Sequence, residues 1–576
     1  MRAAPPASVT GEATRHRALW WLLGAIVVAA GAWLRWGTLR SIPSFFGPGD
    51  PAIYFGMGRG VLREGLPVQD FIHHYLTLPP EIRHLEDYYE PVFGYLVAAA
   101  MALEGATPQA AAGVSFVAGV LVMPLAGLLA RPRGLAAAVV AMAVVALEPW
   151  SIYYSAVLMK EAMIALTTLG ALHATVRLSH GPAPDEVDRS AVRDGALVAG
   201  IAFAAGLLQY ESLPILGLAC GAALLRHRRQ ALLPYACALG LLVAAFALLT
   251  WWGLGVPVSA KLRFVAGFDP GDPSGTGAAA ALLHRSTLFP LGYILQSTLT
   301  GWYPLLLLVG LRGLALPDAS ATARTWIVTY LALHLWLHGI PHDLWSRDFI
   351  VLTALLAAPA AAALVAWRAW AASPTVAGLA WGANAFLWLT PSALSLLAAR
   401  VPGFERLTFG LRIACMLPVA ILLALLFRRL HTGARARPFA LATSLALGAS
   451  LAGQFWLALP YPAIPLNPQY PNFEIERARR QRVSEWMRAQ VPRGPVVAEH
   501  AEEVASYSGF PAAIMPEVFQ RRSFAMLIGR YRVRYVLARE GLVPDSVMAS
   551  VPFRRVGSRE GYALYAAASA DTIESR

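Results

Sequence analysis

The chain has 576 residues, 57% of them hydrophobic and 14% charged, with a mean hydropathy of +0.53. Soluble chains carry about 25% charged residues, so the composition excludes an ordinary soluble enzyme and describes a polytopic membrane protein. The net charge of +13 comes from arginines gathered at the ends of apolar runs, as in "RPR" (131–133), "RHRR" (226–229) and "RRLHTGARAR" (428–437); that pattern marks cytoplasmic loops and speaks against a nucleic-acid partner.

A membrane span needs about 20 apolar residues. In chain order, apolar runs at 17–37, 110–130, 134–152, 158–177, 194–210, 212–226 and 231–253 predict seven helices. Further runs at 300–316, 323–340, 349–370, 375–395, 408–427 and 438–459 bring the expectation to thirteen spans. The first run is long and no small-residue cleavage site follows it, so it reads as a span and not a signal peptide. With the arginine clusters inside, the N-terminus is cytoplasmic, and 38–109, 256–299, 341–348 and everything after 460 face outward. Cys220, Cys237 and Cys415 all lie in apolar runs and read as small core residues, with no disulfide framework.

The first outward segment, about 38–109, is long and acidic, with Asp50, Glu64, Asp70, Glu81, Glu86, Asp87 and Glu90. Its last part, "PVFGYLVAAAMALEG" (91–105), is apolar but too short to cross a bilayer, and reads as a juxtamembrane helix. A short outward turn, 147–163, carries Lys160 and Glu161. Residues 460–576 are a different kind of polypeptide. "FEIERARRQRVSEWMRAQ" (473–490) puts Ile475, Val483, Trp486 and Met487 near one helical face. "GPVVAEH" and "VRYVLARE" read as short buried strands, and "FRRVGSREGYALYAAA" as a closing hairpin. The chain therefore divides into a transmembrane part, 1–459, and a small extracytoplasmic α/β domain, 460–576.

No internal repeat relates the two halves, and few ionisable residues sit at mid-span. Transporters usually show both repeats and midplane charges. Here the ionisable residues gather at the outer surface, which favours chemistry at a membrane face. Asp50 precedes Pro51 and reads either as a helix cap or as a partly desolvated carboxylate base. Glycines 56, 58 and 60 allow close helix packing or the approach of a substrate. Glu90 reads as a cap or a site acid, and Glu161 as a solvated acid paired with Lys160 or a second site acid. Adjacent His73 and His74 point different ways, make a poor metal pair and read as a solvated loop. Arg347 is an interfacial anchor or a phosphate ligand. Gln209, Tyr210 and Glu211 either line a cavity or supply helix-end polarity.

In order and hydropathy the chain resembles the GT-C glycosyltransferases, in particular the protein O-mannosyltransferases and lipid A aminoarabinose transferases. Asp50, Tyr54 and Gly65 stand in a D-x-x-x-Y…G pattern after the first span. "YYEPVFGY" (88–95) is similar to the family's aromatic-E/K-P segment, and "EPWSIYYSAVLMKE" (148–161) looks like its second outward loop. "WSRDFIVLTALLAAPAAAAL" (345–364) resembles a later span opening on an R-Y/F pair, and 482–516 resembles the periplasmic α/β domain of many bacterial members. The chain departs from the pattern in three places: Pro51 follows Asp50 where the family reads D-E, the lysine that often follows Glu90 is absent, and a histidine-bearing stretch (69–87) lengthens the loop.

The resemblance implies a GT-C fold and an inverting glycosyltransferase in a bacterial cytoplasmic (inner) membrane. It would move a sugar from a polyprenyl-phosphate donor to a glycan, lipid or protein acceptor on the extracytoplasmic side. It implies Asp50 and Glu161 as catalytic carboxylates, and Tyr54, Glu90, Lys160 and Arg347 as substrate-binding residues. It requires no certain cofactor, and leaves a divalent metal ion open, with Glu90 as the candidate ligand. A transporter or flippase of lipid-linked sugars, or a non-catalytic scaffold in envelope assembly, is the alternative.

Overall fold

The computed structural model describes residues 7–41, 50–73, 79–86, 88–179, 187–210, 212–254, 304–316, 320–339, 349–366, 400, 417–430, 470–515, 521–544 and 553–567. The spans expected at 375–395 and 438–459 lie outside the described residues, as does Arg347.

The apolar runs become helices. The N-terminal helix α1 (Ala7–Ser41) is followed by α2 (Pro51–Glu64), α3 (Pro91–Glu104) and α4 (Pro108–Ala130). Thr107 starts α4, its hydroxyl accepting from the Ala110 N–H at 3.2 Å while Pro108 fills the first helical position. The buried stripe of α4 is dominated by small residues, among them Ala111, Ser115, Ala118, Gly119 and Ala126, with Val122 and Met123 between them. Small side chains let neighbouring backbones approach, which is how helices associate in lipid. Accordingly α4 touches α1 and α3, and also α5 (Leu135–Leu147), α6 (Pro149–Ala156) and α7 (Glu161–Ser179).

The run 134–152, expected as one span, is two helices bent by 62°. Pro149 is the cause, since it brings no N–H to continue the ladder and excludes the preceding residue from helical conformation. Glu148 (ψ 119°) caps the new helix by accepting from the N–H groups of Trp150 (3.1 Å) and Ser151. The carbonyls stranded at the end of α5 are taken by a residue far away in sequence. Arg35 of α1, fully buried, donates to Val145 O (2.9 Å), Ala146 O (3.2 Å) and Gly31 O (3.1 Å). Replacing this guanidinium removes a charge-assisted partner from buried carbonyls, a loss of about 3 kcal/mol. Arg35→Met should therefore lower the thermal midpoint of the detergent-solubilised protein clearly. A midpoint equal to wild type would mean that the bend does not depend on Arg35.

The bundle continues with α8 (Val187–Gly206), α9 (Ser212–His227), α10 (Leu232–Leu254), α11 (Pro304–Leu314), α12 (Ala321–Gly339), α13 (Phe349–Val365) and α14 (Leu417–Leu430). Among the described residues three helical segments are long and apolar enough to cross a bilayer, or four if the bent pair counts as one. Cys220 is buried as expected, whereas Cys237 on α10 is exposed.

The remaining described residues form a three-layer α/β unit. Its strands are β4 (Val496–Ala498), β5 (Ala512–Ile514), β6 (Tyr535–Arg539), β7 (Phe553–Arg559) and β8 (Tyr562–Ala567). The first loop supplies β1 (Val68–Gln69), β2 (Phe71–Ile72) and β3 (His84–Leu85). The six-stranded sheet has the order β2-β5-β4-β6-β8-β7, parallel through β6 and antiparallel beyond it. Strand side chains alternate between faces. Val496 and Ala498 face one core with Val483 and Met487 of α15 (Tyr470–Gln490) and Val504 of α16 (Ala501–Ser508). Val497, Ala513 and Val536 face the other, with Phe524, Leu527 and Ile528 of α17 (Arg521–Arg530). Ile475, expected on the inner face of α15, is 59% exposed. The edge strand β2 belongs to the segment read from sequence as part of the transmembrane half, so the first loop and the C-terminal segment fold together. Tyr531 reinforces this by donating to Pro79 O at 3.0 Å.

Candidate functional site

The glycines of helix α2 answer to packing. A Cβ on Gly60 would run into the backbone of Val68, so β1 lies against the helix only because that position is glycine. Gly56, Gly58 and Gly60 all lie in close packing contacts. Gln69 completes the join, donating to Ile53 O at 3.0 Å. The antiparallel pair β1–β3 sets Val68 opposite Leu85 and Gln69 opposite His84, which folds the intervening loop back on itself.

That fold brings Asp50 and the YYEP segment together. Asp50 stands at the N-cap of α2, with its backbone carbonyl accepting from Ile53 N and Tyr54 N, but its side chain makes no cap hydrogen bond. Instead Asp50 Oδ1 accepts from the Tyr89 hydroxyl at 2.7 Å. The carboxylate is half-buried. Tyr54, one turn along α2 and fully buried, packs edge-on against Tyr89 and Phe93, with ring centroids 5.4 and 4.9 Å apart. It braces the tyrosine that holds Asp50.

Glu90 also stands at an N-cap without capping its helix. Its Oε2 takes the Lys160 ammonium at 2.5 Å and its Oε1 accepts from Tyr210 N at 3.2 Å. Both members of this ion pair are buried. Of the two readings of Glu161, the solvated one does not hold, since Glu161 is buried at the start of α7, and Lys160, also buried, reaches across to Glu90. A cation at Glu90 would compete with an ammonium already seated there, so this carboxylate does not fit the metal-ligand role. Among the described residues the spacing for a metal ion occurs at His500, Glu502 and Glu503, whose ligand atoms lie within 4.8 Å of one another. Glu503, however, already carries Arg477 (3.4 Å) and Arg480 (3.3 Å).

His73, expected in a solvated loop, is buried. Its Nε2 lies 3.2 and 3.3 Å from the two oxygens of Glu86, and its ring is boxed by Phe71, Tyr88 and Tyr89. Glu86 Oε1 further accepts from Tyr88 N (2.9 Å) and Tyr89 N (3.1 Å). Burial works against the charge on His73, but the Glu86 carboxylate outweighs it and raises the imidazole above its ordinary value. Burial likewise opposes ionisation of Glu86, yet His73 and the Tyr89 N–H hold it down at about 2. The raised histidine contributes stability fully below about 6.5 and loses it as pH rises through the folded value. The depressed glutamate contributes above about 4.5 and loses it as pH falls towards about 2. The thermal midpoint of wild type should therefore exceed that of His73→Gln most between about pH 4.5 and 6.5, with the gap narrowing above. A gap that is constant with pH would show that the pair is not ionised.

The structure thus brings Asp50 and Tyr54 onto Tyr89, and Lys160 onto the neighbouring Glu90, with Glu161 buried beside Lys160 in sequence. Tyr89, His73, Glu86, Arg35 and Glu148 were not singled out from sequence as functional. Tyr89 could have been found, since it lies inside the quoted aromatic-E-P segment. His73 and Glu86 carried no periodic signal, being joined only through the β1–β3 fold.

The architecture has counterparts among solved structures. ArnT from Cupriavidus metallidurans in the apo state superimposes with a TM-score of 0.53 at 14% identity, covering 96% of this chain and 98% of that one. The same protein bound to undecaprenyl phosphate gives 0.54 at 14% identity, over 94% and 97% of the two chains. The chain has the GT-C fold. An Archaeoglobus fulgidus oligosaccharyltransferase in complex with Zn and sulfate gives a TM-score of 0.52 at 13% identity, over 94% of this chain and 73% of that one. No protein-family model and no curated protein sequence matches the chain. At these identities the likeness shows the fold alone, and leaves the chemistry to be argued from the residues.

Proposed function

We propose that this chain is an integral-membrane, inverting glycosyltransferase that uses a polyprenyl-phosphate sugar as donor. The observation that carries this reading is the Asp50 carboxylate. It sits at a helix start without capping it, half-buried, and is held by a tyrosine hydroxyl in the outward loop. A cap residue turns its oxygen onto the helix N–H groups; this one is turned away, towards the loop. The GT-C fold and the undecaprenyl phosphate bound by ArnT support the donor class.

In the reaction, the acceptor hydroxyl attacks the anomeric carbon and its proton passes to Asp50, the general base. The bond from the anomeric carbon to the phosphate oxygen breaks, and polyprenyl phosphate leaves with the electron pair. One displacement inverts the configuration. Lys160 and Arg347 are proposed to stabilise the leaving phosphate, and Glu161 to act as the second carboxylate. No step is routed through a metal. If one is bound, His500 and Glu502 would hold it and it would supply positive charge there, with Glu503 joining only by giving up Arg477 and Arg480.

We further place the site on the extracytoplasmic face of a bacterial inner membrane, with thirteen spans and residues 460–576 outside. Proteoliposomes loaded with labelled undecaprenyl-phosphate sugars test the reading. Transfer of label to an acceptor supports the enzyme. Movement of intact donor between leaflets without transfer supports a transporter, and the absence of both transfer and movement supports a scaffold.

A further inference from the structure

The reading of Asp50 as a base raises the question of what aims it. Its hydrogen bond comes from Tyr89, and Tyr89 is fixed from behind. Glu86 accepts from the backbone N–H groups of both Tyr88 and Tyr89, and its carboxylate is clamped by His73. His73 and Glu86 belong to the stretch 69–87, which lengthens the loop beyond the pattern the chain otherwise resembles.

We propose that Tyr89, anchored through the buried His73–Glu86 pair, is the positioning residue that orients the Asp50 carboxylate, resting on the reading of Asp50 as the base. The hydroxyl is 2.7 Å from Asp50 Oδ1, a short charge-assisted geometry. Burial, and then the charge of Asp50, push the Tyr89 phenol well above its ordinary value, so it remains a donor throughout the working range. The charged groups facing His73 come from three elements: Glu86 on its own loop, Asp50 at the start of α2 and Glu502 on α16. Glu502 is in turn paired with His500, and His84 adjoins Glu86. The α/β unit thereby closes over the back of the clamp, and the loop, the helix and the unit act as one support for one carboxylate.

The test reads Asp50 directly. A hydrophobic carbodiimide reacts with the protonated carboxyl, so its labelling of Asp50 in the full-length protein, followed by mass spectrometry from about pH 4 to about pH 8, reports the environment of that side chain without any substrate. Tyr89→Phe keeps the ring contacts and removes only the hydroxyl. The midpoint of labelling should move to higher pH by about one unit, the worth of one hydrogen bond to a charged group. Glu86→Gln, which retains an acceptor for the two N–H groups but releases His73, should move it the same way by less. With a panel of undecaprenyl-phosphate sugars, Tyr89→Phe should lower kcat about 10-fold to 100-fold, leave the donor KM unchanged, and shift the acid limb of the pH–rate profile with the labelling midpoint. A Tyr89→Phe labelling curve that coincides with wild type overturns the positioning role, whatever the activity. A shifted curve in a protein that turns over no donor supports the positioning role and defeats the glycosyltransferase reading instead.

Discussion

Asp50→Asn should abolish most turnover while leaving the protein folded. Asparagine is nearly isosteric and is itself a good N-cap residue, so a capping role would survive the change. The structure gives capping no side-chain hydrogen bond to lose. The amide can still accept from Tyr89, so expression, insertion and donor binding should be unaffected. What disappears is the acceptor for the proton, at a cost of about 10²- to 10⁴-fold in kcat. Asp50→Glu should retain little, because one methylene displaces the carboxylate from the geometry Tyr89 sets. Steady-state kinetics beside a thermal melt separate the two readings. Full activity in Asp50→Asn would remove the centre of the mechanism, and Glu161 would become the carboxylate to examine.

The second large effect is expected at the buried pair of Lys160 and Glu90. Breaking a buried pair by removing one partner costs about 3 to 5 kcal/mol, because the other charge stays buried without compensation, whereas removing both charges is far less damaging. Lys160→Met should therefore lower the thermal midpoint steeply, and Lys160→Met/Glu90→Gln should restore most of the loss. Activity should follow a different course. If Lys160 also stabilises the leaving phosphate, the double variant will be folded and slow. A double variant as unstable as the single one would show that the pair is not the unit of stability. One with wild-type kcat would leave Lys160 a purely structural role.

What could be read from the residues alone follows the range of the forces involved. Helices came from local apolar runs, and the strands of the α/β unit from short buried stretches such as "VVA" and "YVLAR". The break within 134–152 was visible as Pro149, yet the run was read as one span because hydropathy alone does not register a proline. The site depended on longer connections. Asp50 and Glu90 drew attention through the D-x-x-x-Y…G and aromatic-E-P segments, whereas the partners the structure gives them lie 39 and 70 residues away. His73 looked like a solvated loop residue because nothing local shows that β1 and β3 will pair and bury it against Glu86. Nothing in the local sequence marks Arg35, since its partners are backbone carbonyls freed by a proline more than a hundred residues on.

The measurement that bears most directly on the central claim is a density map of the full-length protein with undecaprenyl phosphate bound. The account predicts that the lipid phosphate lies at the outer end of the bundle, beside Asp50 and within reach of Lys160, with the Tyr89 hydroxyl still on the carboxylate. A phosphate lodged elsewhere, with Asp50 remote from it and walled off by protein, would contradict the account.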